Sequence, residues 1–186
     1  MDLSENDEMG LQGARVLATA IRSGLGRQLE ELRLFGTGIG CQGFREVLHA
    51  LRDSACAASL ARLDVSSCQI GSEGVCYLCR LIEGQTFPRL QALNIGNDLR
   101  FSEPGMMCLV KTLGRAGSEL TELNLSGLRL GNDGVAALAE ILASGACPKL
   151  ERVDLLDGFI TAQGKGVLKE AVEARSGEVK LEIRWP

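Results

Sequence analysis

The chain has 186 residues, including 30 leucines and only 7 aromatic residues, and its formal net charge is −4. A negative net charge does not favour binding to nucleic acid or to acidic lipids. No apolar run approaches the roughly 18 residues that a membrane span needs. The N-terminus lacks a signal-peptide layout, and the 7 cysteines are odd in number and scattered. We therefore expect a cytoplasmic protein with reduced thiols, and neither nucleic acid nor membrane as a partner.

Residues 1–28 are predicted to form a partial repeat. Met1 and Leu3 suit the inward positions of a strand, and Met9 to Gly13 precede apolar residues at helical spacing. The chain thus begins partway through a strand. Because an uncapped terminal repeat exposes its apolar side, we expect either further repeats upstream or an unusual cap.

One strand pattern then occurs five times, at a period of 30 or 31 residues. Its apolar residues occupy positions 1, 4 and 6, and the last two alternate as in a half-buried strand. A fixed period of about 20–50 residues is typical of a solenoid. The full repeats start at Leu29, Leu60, Leu90, Leu120 and Leu150.

A glycine-containing pattern follows each strand and leads into apolar pairs at i, i+4 spacing, such as Leu138 and Leu142. Each repeat is therefore predicted to be a short strand, a turn and a helix of about three turns. The Gly, Ser or Thr at the start of this pattern suits a helix N-cap. The third repeat carries one extra residue between Ile95 and Phe101.

Residues 178–185 alternate strictly and are predicted to form a terminal strand, with Lys180, Glu182 and Arg184 facing outward. No glycine pattern follows this strand, so the repeat array is expected to end here.

These units predict one domain over residues 1–186. A single unit cannot bury its apolar face, so the units stack. Parallel strands pair at about 4.8 Å whereas helices need about 8–10 Å, and the stack therefore curves with the strands inside. The predicted fold is an α/β right-handed solenoid, a horseshoe with a concave parallel β-sheet and convex α-helices.

The pattern L-x-x-L-x-L followed by I-G-x-x-G-x-x-x-L resembles the ribonuclease-inhibitor-like class of leucine-rich repeats over essentially the whole chain. The resemblance implies a protein-binding solenoid. The class also includes the sensor domains of nucleotide-binding immune receptors and the activator of the Ran GTPase. It places Asn or Cys three residues after the last strand leucine, which only Asn6 and Cys68 match here. Leu128 and Gly158 at this place imply looser or differently bonded turns.

Three motifs that suggest chemistry are better explained by the repeat. Gly38-x-Gly40-x-x-Gly43 has the form of a dinucleotide fingerprint, but its last two glycines recur in other repeats. Cys76-x-x-Cys79 lacks the further ligands that zinc needs, and Cys79 corresponds to apolar helix positions in other repeats, so we expect it to pack in the core. His49 lies on a predicted surface helix. We expect no catalytic residue, cofactor or metal site, and core packing roles for the remaining cysteines: Cys41, Cys56, Cys108 and Cys147.

Positions 3, 5 and 7 of each strand point away from the core and predict three columns of side chains on the concave face. Charged neighbours could pair across strands, namely Glu31/Arg62, Arg33/Asp64 and Glu122/Arg152. Phe35 and Leu156 add apolar surface that a purely solvated face does not need, and arginine is enriched at binding hot spots. The candidate partner-binding residues are Arg33, Phe35, Arg62, Asp64, Asn94, Asn97, Asp98, Arg100, Asn124, Arg152, Asp154 and Leu156.

The predicted function is a non-enzymatic interaction module that binds a partner protein through the concave sheet and adjoining loops, as a monomer or a weak end-to-end dimer. The irregular third repeat should bulge beside the concave face, where solenoids place specificity. Two alternatives stay open. One is a GTPase-activating protein resembling the Ran activator, with Asn97, Asp98 and Arg100 at its active edge. The other is a ligand-sensing fragment of an immune-type receptor.

Overall fold

A computed structural model describes residues 1–116, 119–158, 160–175 and 181–185. Short strands alternate with helices of 13 or 14 residues, apart from the single-turn α3. The elements are α1 (Gly10–Arg22), β1 (Glu31–Arg33), α2 (Gly40–Arg52), α3 (Cys56–Ser59), β2 (Arg62–Asp64), α4 (Gly71–Glu83), β3 (Ala92–Asn94), α5 (Glu103–Ala116), β4 (Glu122–Asn124), α6 (Gly131–Ala143), β5 (Arg152–Asp154), α7 (Ala162–Ala174) and β6 (Glu182–Arg184).

The six strands form one parallel sheet in chain order, which confirms the predicted α/β leucine-rich repeat solenoid. Neighbouring strands from β1 to β5 pair residues 30 or 31 apart, as Leu63 with Leu93 and Leu93 with Leu123. The first residues extend this sheet as predicted: Asp2 bridges to Arg33, and the Leu3 amide donates to the Arg33 carbonyl at 2.9 Å.

One face of the sheet and the facing sides of the helices enclose the core. Leu93, Leu123 and Leu125 are 3%, 1% and 0% exposed, as expected for inward strand positions in central repeats. The glycine pattern lets the helices approach closely. A Cβ on Gly43 would lie 2.9 Å from the Ala14 Cβ, so this glycine is needed for packing between α1 and α2. No described helix combines the length and apolarity that a membrane crossing requires.

A left-handed residue follows each of the first six strand units, from the partial first unit to β5, with φ between 55° and 70°. These residues are Glu5, Gly36, Ser67, Asn97, Gly127 and Asp157. The following position differs in chemistry from repeat to repeat: Cys68 donates to the Leu34 carbonyl, whereas Leu128 is fully buried and its amide donates to the Leu125 carbonyl at 3.2 Å. The amides of Thr37 and Gly158 make the same backbone bond, at 3.2 and 3.3 Å. The turn at Leu128 therefore differs in lacking the side-chain bond that Thr37 and Cys68 add.

The predicted register of the last strand is wrong by two residues. Glu182 pairs with Arg152, and Arg184 pairs with Asp154, so each lies one column earlier than predicted. A shift of two residues leaves every side chain on its own face, and the alternating pattern cannot distinguish the two registers. Residues 176–180, including Lys180, lie outside the described part of the chain.

The predicted helix caps are confirmed at one site. Thr161 Oγ1 accepts the Gly164 amide at 3.1 Å, which is a side-chain N-cap. Gly40, Gly71 and Gly131 instead lie within the first turn of their helices, with φ of 66°, 63° and 66°. Their contribution is the left-handed backbone conformation that glycine adopts without steric cost.

Candidate functional site

The concave face of the sheet forms an open basin of about 430 Å³. Most of its side chains come from positions 3 and 5 of the strands, because these positions point away from the helices, and Phe35 adds position 7 of the first full repeat. Most of the predicted binding residues line it: Arg33, Phe35, Arg62, Asp64, Asn94, Asn124, Arg152 and Asp154. Leu156 lies two residues beyond the end of β5. It is half-buried and does not line the basin.

Two arginines converge on one carboxylate in the first column. Arg152 lies 2.9 Å from Glu122 on the adjacent strand, as predicted, and Arg62 lies 3.6 Å from Glu122 two strands away. Arg62 can reach that far because the residue between them is the small Ala92. These side chains are 35–49% exposed, so each pair contributes about 1 kcal/mol or less to stability.

The other two predicted charge pairs do not form as ion pairs. Glu31 is engaged by Arg33 of its own strand at 2.7 Å, since positions 3 and 5 share a face. This hydrogen bond raises the pKa of Arg33. Arg33 also lies 3.8 Å from Asp2, so the first residues of the chain contribute to the basin.

The second column is held in place by its own backbone. The Oδ1 atoms of Asp64, Asn94 and Asn124 each accept the amide two residues further on, at 2.9–3.1 Å. Such side-chain-to-backbone hydrogen bonds hold the side chain and the turn that follows it in one conformation. Asn94 Nδ2 also donates to Asp64 Oδ2 at 3.0 Å, which links two adjacent repeats.

The β4–β5 part of this face is less fully bonded. Ser126 Oγ and Asp154 Oδ1 are buried and have no hydrogen-bond partner among the described residues. Arg184 lies 3.4 Å from Asp154 Oδ1, close enough for an ion pair but without hydrogen-bond geometry.

Asp98 is not a surface residue, and its prediction as a partner contact is wrong. It is 2% exposed, and its carboxylate accepts the Gly71 amide and the Arg100 amide, both at 2.9 Å. Its alignment with Thr37 and Cys68, which also bond to backbone, was the sequence signal for this structural role.

The loop around Asp98 does present its neighbours to solvent. Asn97 and Arg100 are exposed, as predicted. Between them, Leu99 is 88% exposed and was not identified from the sequence. The sequence feature that could have indicated this exposure is the extra residue of the third repeat, beside which Leu99 lies.

The cysteines divide into two groups. Cys79 and Cys147 are buried, and burial raises the pKa of each thiol to about 11, consistent with the predicted packing role of both. The expectation of reduced thiols is wrong for Cys76 and Cys108, which form a disulfide between α4 and α5 with a Cα–Cα distance of 5.4 Å. Cys108 is half-buried and packs against the edge of the core, so its packing role is partly as predicted.

The convex side also carries a polar cluster. The Tyr77 hydroxyl lies 3.1 Å from a ring nitrogen of His49, and the Arg45 guanidinium lies 5.2 Å from the centre of the Tyr77 ring. Arg45 also pairs with Glu73 at 3.1 Å. Within the described residues, no group of three or more His, Cys, Asp or Glu side chains is placed to hold a metal ion.

Comparisons with known proteins agree with this architecture. A leucine-rich repeat family model matches residues 57–79 and 119–139. The ribonuclease inhibitor of Sus scrofa is 32% identical over 144 residues, covering 76% of this chain and 30% of that protein. The ribonuclease inhibitor of Mus musculus is 32% identical over 173 residues, covering 91% and 36%. The centrosomal protein of 78 kDa of Mus musculus is 26% identical over 168 residues, covering 89% and 20%.

The chain thus spans between a fifth and about a third of these relatives. Two solved structures share its fold. Leiomodin-1 actin-binding site 2 has a TM-score of 0.68 at 11% identity, covering 86% of this chain and 87% of its own. The tropomodulin C-terminal domain from Caenorhabditis elegans has a TM-score of 0.61 at 18% identity, covering 87% and 92%. The chain is a leucine-rich repeat protein with distant homology to the ribonuclease inhibitors.

Proposed function

We propose that this chain is a non-enzymatic module of the cytoplasm that binds a partner protein against its concave face and the adjoining strand-end loops. The observation that carries the proposal is the basin itself. Its side chains differ in charge and size from one repeat to the next, while the buried side of the same strands stays leucine-rich.

The backbone-bonded amides and carboxylates of the second column make the surface ready for binding. A side chain already fixed in the free protein loses little conformational entropy when a partner binds. Asp64, Asn94 and Asn124 are held in this way. They present a fixed row of polar groups across neighbouring repeats.

The β4–β5 part of the face is the proposed polar centre of the interface. Its charged side chains are partly exposed and can be reached by a partner. Arg152 and Glu122 lie on the same two strands and supply charges of both signs. A partner with a complementary charge pattern is favoured over others by this arrangement.

The relatives support a binding role in a general way. A ribonuclease inhibitor, by its name, acts on another protein, and this chain matches about a third of its length. The GTPase-activating alternative needs Asn97, Asp98 and Arg100 at the surface. The Asp98 carboxylate is bonded to two backbone amides, so only Asn97 and Arg100 are left for such a role. A GTPase stimulation assay distinguishes the two, because a binding module leaves the intrinsic GTPase rate unchanged.

The cytoplasmic location has its own test. Five cysteines are free among the described residues, whereas the Cys76–Cys108 disulfide is unusual for a reducing compartment. A thiol-alkylating reagent is added to intact cells that make the chain, and the alkylated thiols are counted in the denatured, unreduced protein; we expect 7 if the chain resides in the reducing cytoplasm and 5 if it resides where the disulfide is kept. The second count would contradict the cytoplasmic location.

The binding proposal is tested with a displayed library of protein domains and fragments, selected for binding to the wild-type chain. Each selected binder is then measured against Arg152→Glu and against Arg45→Glu. Both substitutions remove one exposed Arg–Glu pair, on the concave and convex side respectively. We expect at least a tenfold loss of affinity for the first and no change for the second. Binders that lose affinity only for Arg45→Glu would contradict the proposal.

A further inference from the structure

The end of the solenoid formed by α1 and the first strand unit carries an apolar groove of about 790 Å³. Val16 in this groove is 71% exposed, and Leu25 is 47% exposed. The other large apolar side chains that line it are Met1, Leu3, Met9 and Leu17. A terminal repeat that faces only solvent carries a polar outer surface, so this end of the stack differs from a capped one.

Gly13 occupies the repeat position at which each later helix meets the helix before it. A Cβ on Gly43, its equivalent in α2, would lie 2.9 Å from the Ala14 Cβ of α1. The three atoms nearest to a Cβ on Gly13 belong instead to Met9 of its own repeat, and Gly13 is only partly buried. The equivalent glycines of the five later repeats are all buried, and they are Gly43, Gly74, Gly105, Gly134 and Gly164.

Val16 lies at a second position that faces the preceding helix, three residues after the glycine. In α2 this position is Glu46, which lies 3.8 Å from Arg22 of α1. In α5 it is Cys108, which is bonded to Cys76 of α4. Val16 therefore points to the place where a further helix would pack, and its exposure shows that the described chain leaves this place open.

The charged side chains that line the groove are all acidic, and they are Glu5, Asp7 and Glu8. All three are exposed. They lie beside the apolar lining, at the turn that leads from the first strand unit into α1. An apolar groove bordered by carboxylates on one side is complementary to an apolar surface that carries basic side chains along its border.

The cations of this region are directed away from the groove. Arg22 lies towards α2, where it meets Glu46, and Arg15 is seven residues before it on the same side of α1. Arg27 lines a separate depression between the first two repeats. The α-amino group of Met1 donates to the Glu31 carbonyl at 2.6 Å, on the side of β1.

We propose that this groove binds an amphipathic α-helix of a partner protein, whose apolar face is bordered by lysine or arginine. The bound helix packs on α1 as each helix of the solenoid packs on the next. Met1 and Met9 suit this role, because the unbranched methionine side chain adapts to different packing partners. The groove lies on the opposite side of the first strand unit from Asp2 and Ser4, which line the concave basin, so this inference goes beyond the proposed function.

The probe is a synthetic amphipathic helix of the length of α5, with leucine and alanine on one face and lysine along both borders of that face. A matched peptide carries glutamate in place of every lysine. Binding to the chain is followed by fluorescence anisotropy of the labelled peptides. We expect the lysine peptide to bind at least tenfold more tightly than the glutamate peptide, and the double variant Glu5→Lys/Glu8→Lys to reverse this preference.

Val16→Ser tests the apolar part of the groove. It should weaken binding of the lysine peptide at least fivefold, because Val16 is covered only when the helix is bound. Val167→Ser is the matched control, since Val167 has the same repeat position on α7 and is 37% exposed. The control should bind the lysine peptide as the wild type does. The melting temperature should stay unchanged in both variants, because neither side chain is buried.

Three outcomes overturn the inference. The first is that the lysine peptide does not bind, and the second is that it binds no better than the glutamate peptide. The third is that Arg152→Glu weakens its binding while Val16→Ser does not, which places the peptide in the concave basin. If light scattering shows a dimer that Val16→Ser dissociates, a second copy covers the groove and the basic helix is also overturned. We expect a monomer, because two copies joined at this end bring their carboxylates together.

Discussion

Each strand of the six-stranded sheet contributes side chains to an inner face and to a concave face, and the residue types vary between repeats far more on the concave face. On the inner side, position 4 is leucine or valine in all five full repeats, and these residues are 0–3% exposed. On the concave side, position 3 changes between acidic, basic and small residues. The inner residues are Leu32, Leu63, Leu93, Leu123 and Val153, and the outer ones are Glu31, Arg62, Ala92, Glu122 and Arg152.

The difference shows where fold and recognition are encoded. Stacking requires the same apolar volume in every repeat, so the inner face cannot change without leaving a cavity or a clash. The concave face is free of that requirement, and its pairs contribute little to stability. Repeats can therefore acquire different outer residues while the solenoid stays the same.

The largest expected effect is on the inner face. Leu123→Ala in β4 should lower the free energy of unfolding by about 2–5 kcal/mol, because neighbouring repeats on both sides prevent the cavity from collapsing. The same change at Leu3, which is only partly buried in the first strand unit, should cost clearly less. Urea unfolding followed by circular dichroism measures both. Equal losses would contradict the difference in packing between the two sites.

Asp98→Ala should come second, although the sequence suggests a surface residue. The substitution leaves the Gly71 amide without its acceptor and removes the bond to Arg100, at a cost of about 1–3 kcal/mol. Asp7→Ala, at an exposed aspartate in the turn before α1, is the control and should change stability by less. A neutral result for Asp98→Ala would show that its buried bonds are not formed in solution.

Asn124→Ala tests the concave side of β4, next to Leu123. It removes the acceptor for the Ser126 amide, and the expected cost is about 1 kcal/mol. Leu123 and Asn124 are adjacent in one strand. A difference between the two stability losses therefore reflects the face of the sheet and not the repeat in which the residue lies. A cost as large as that of Leu123→Ala would remove the proposed division between the two faces.

Arg152→Glu should have the smallest effect on folding. The ion pair with Glu122 is partly exposed, so we expect a change of less than about 1 kcal/mol in unfolding free energy. The stability effect should shrink further at high salt, because screening weakens interactions between exposed charges. Urea titrations at low and high ionic strength check this, and a large, salt-independent loss would show a structural role for Arg152.

The periodic part of the fold was predictable from the sequence because stacking imposes one pattern on every repeat. Leu63, Leu93 and Leu123 align across the sheet for that reason. The register of β6 was not predictable, since Leu181, Ile183 and Trp185 alternate equally well after a shift of two residues. The candidate site was predicted as a set of columns, but the ion pair between Arg62 and Glu122 depends on the small size of the intervening Ala92.

Contacts on the convex side were beyond the reach of the repeat pattern. Cys76 and Cys108 are 32 residues apart, whereas Tyr77 and His49 are 28 apart, so neither pair matches the period of the strands. Helix packing adjusts to side-chain size and to the extra residue of the third repeat. Such pairs depend on the relative shift of two helices, which the sequence pattern does not specify.

Arginine labelling tests the division between the two sides of the molecule most directly, because arginines of similar exposure lie on both. Arg33, Arg62 and Arg152 of the concave face are 50%, 49% and 39% exposed, and Arg45 and Arg52 of α2 are 46% and 42% exposed. The chain is treated with phenylglyoxal, with and without a selected binder, and modification is quantified by mass spectrometry. We predict that the binder protects the concave arginines and leaves Arg45 and Arg52 unchanged; protection of the α2 arginines alone would contradict binding through the concave face.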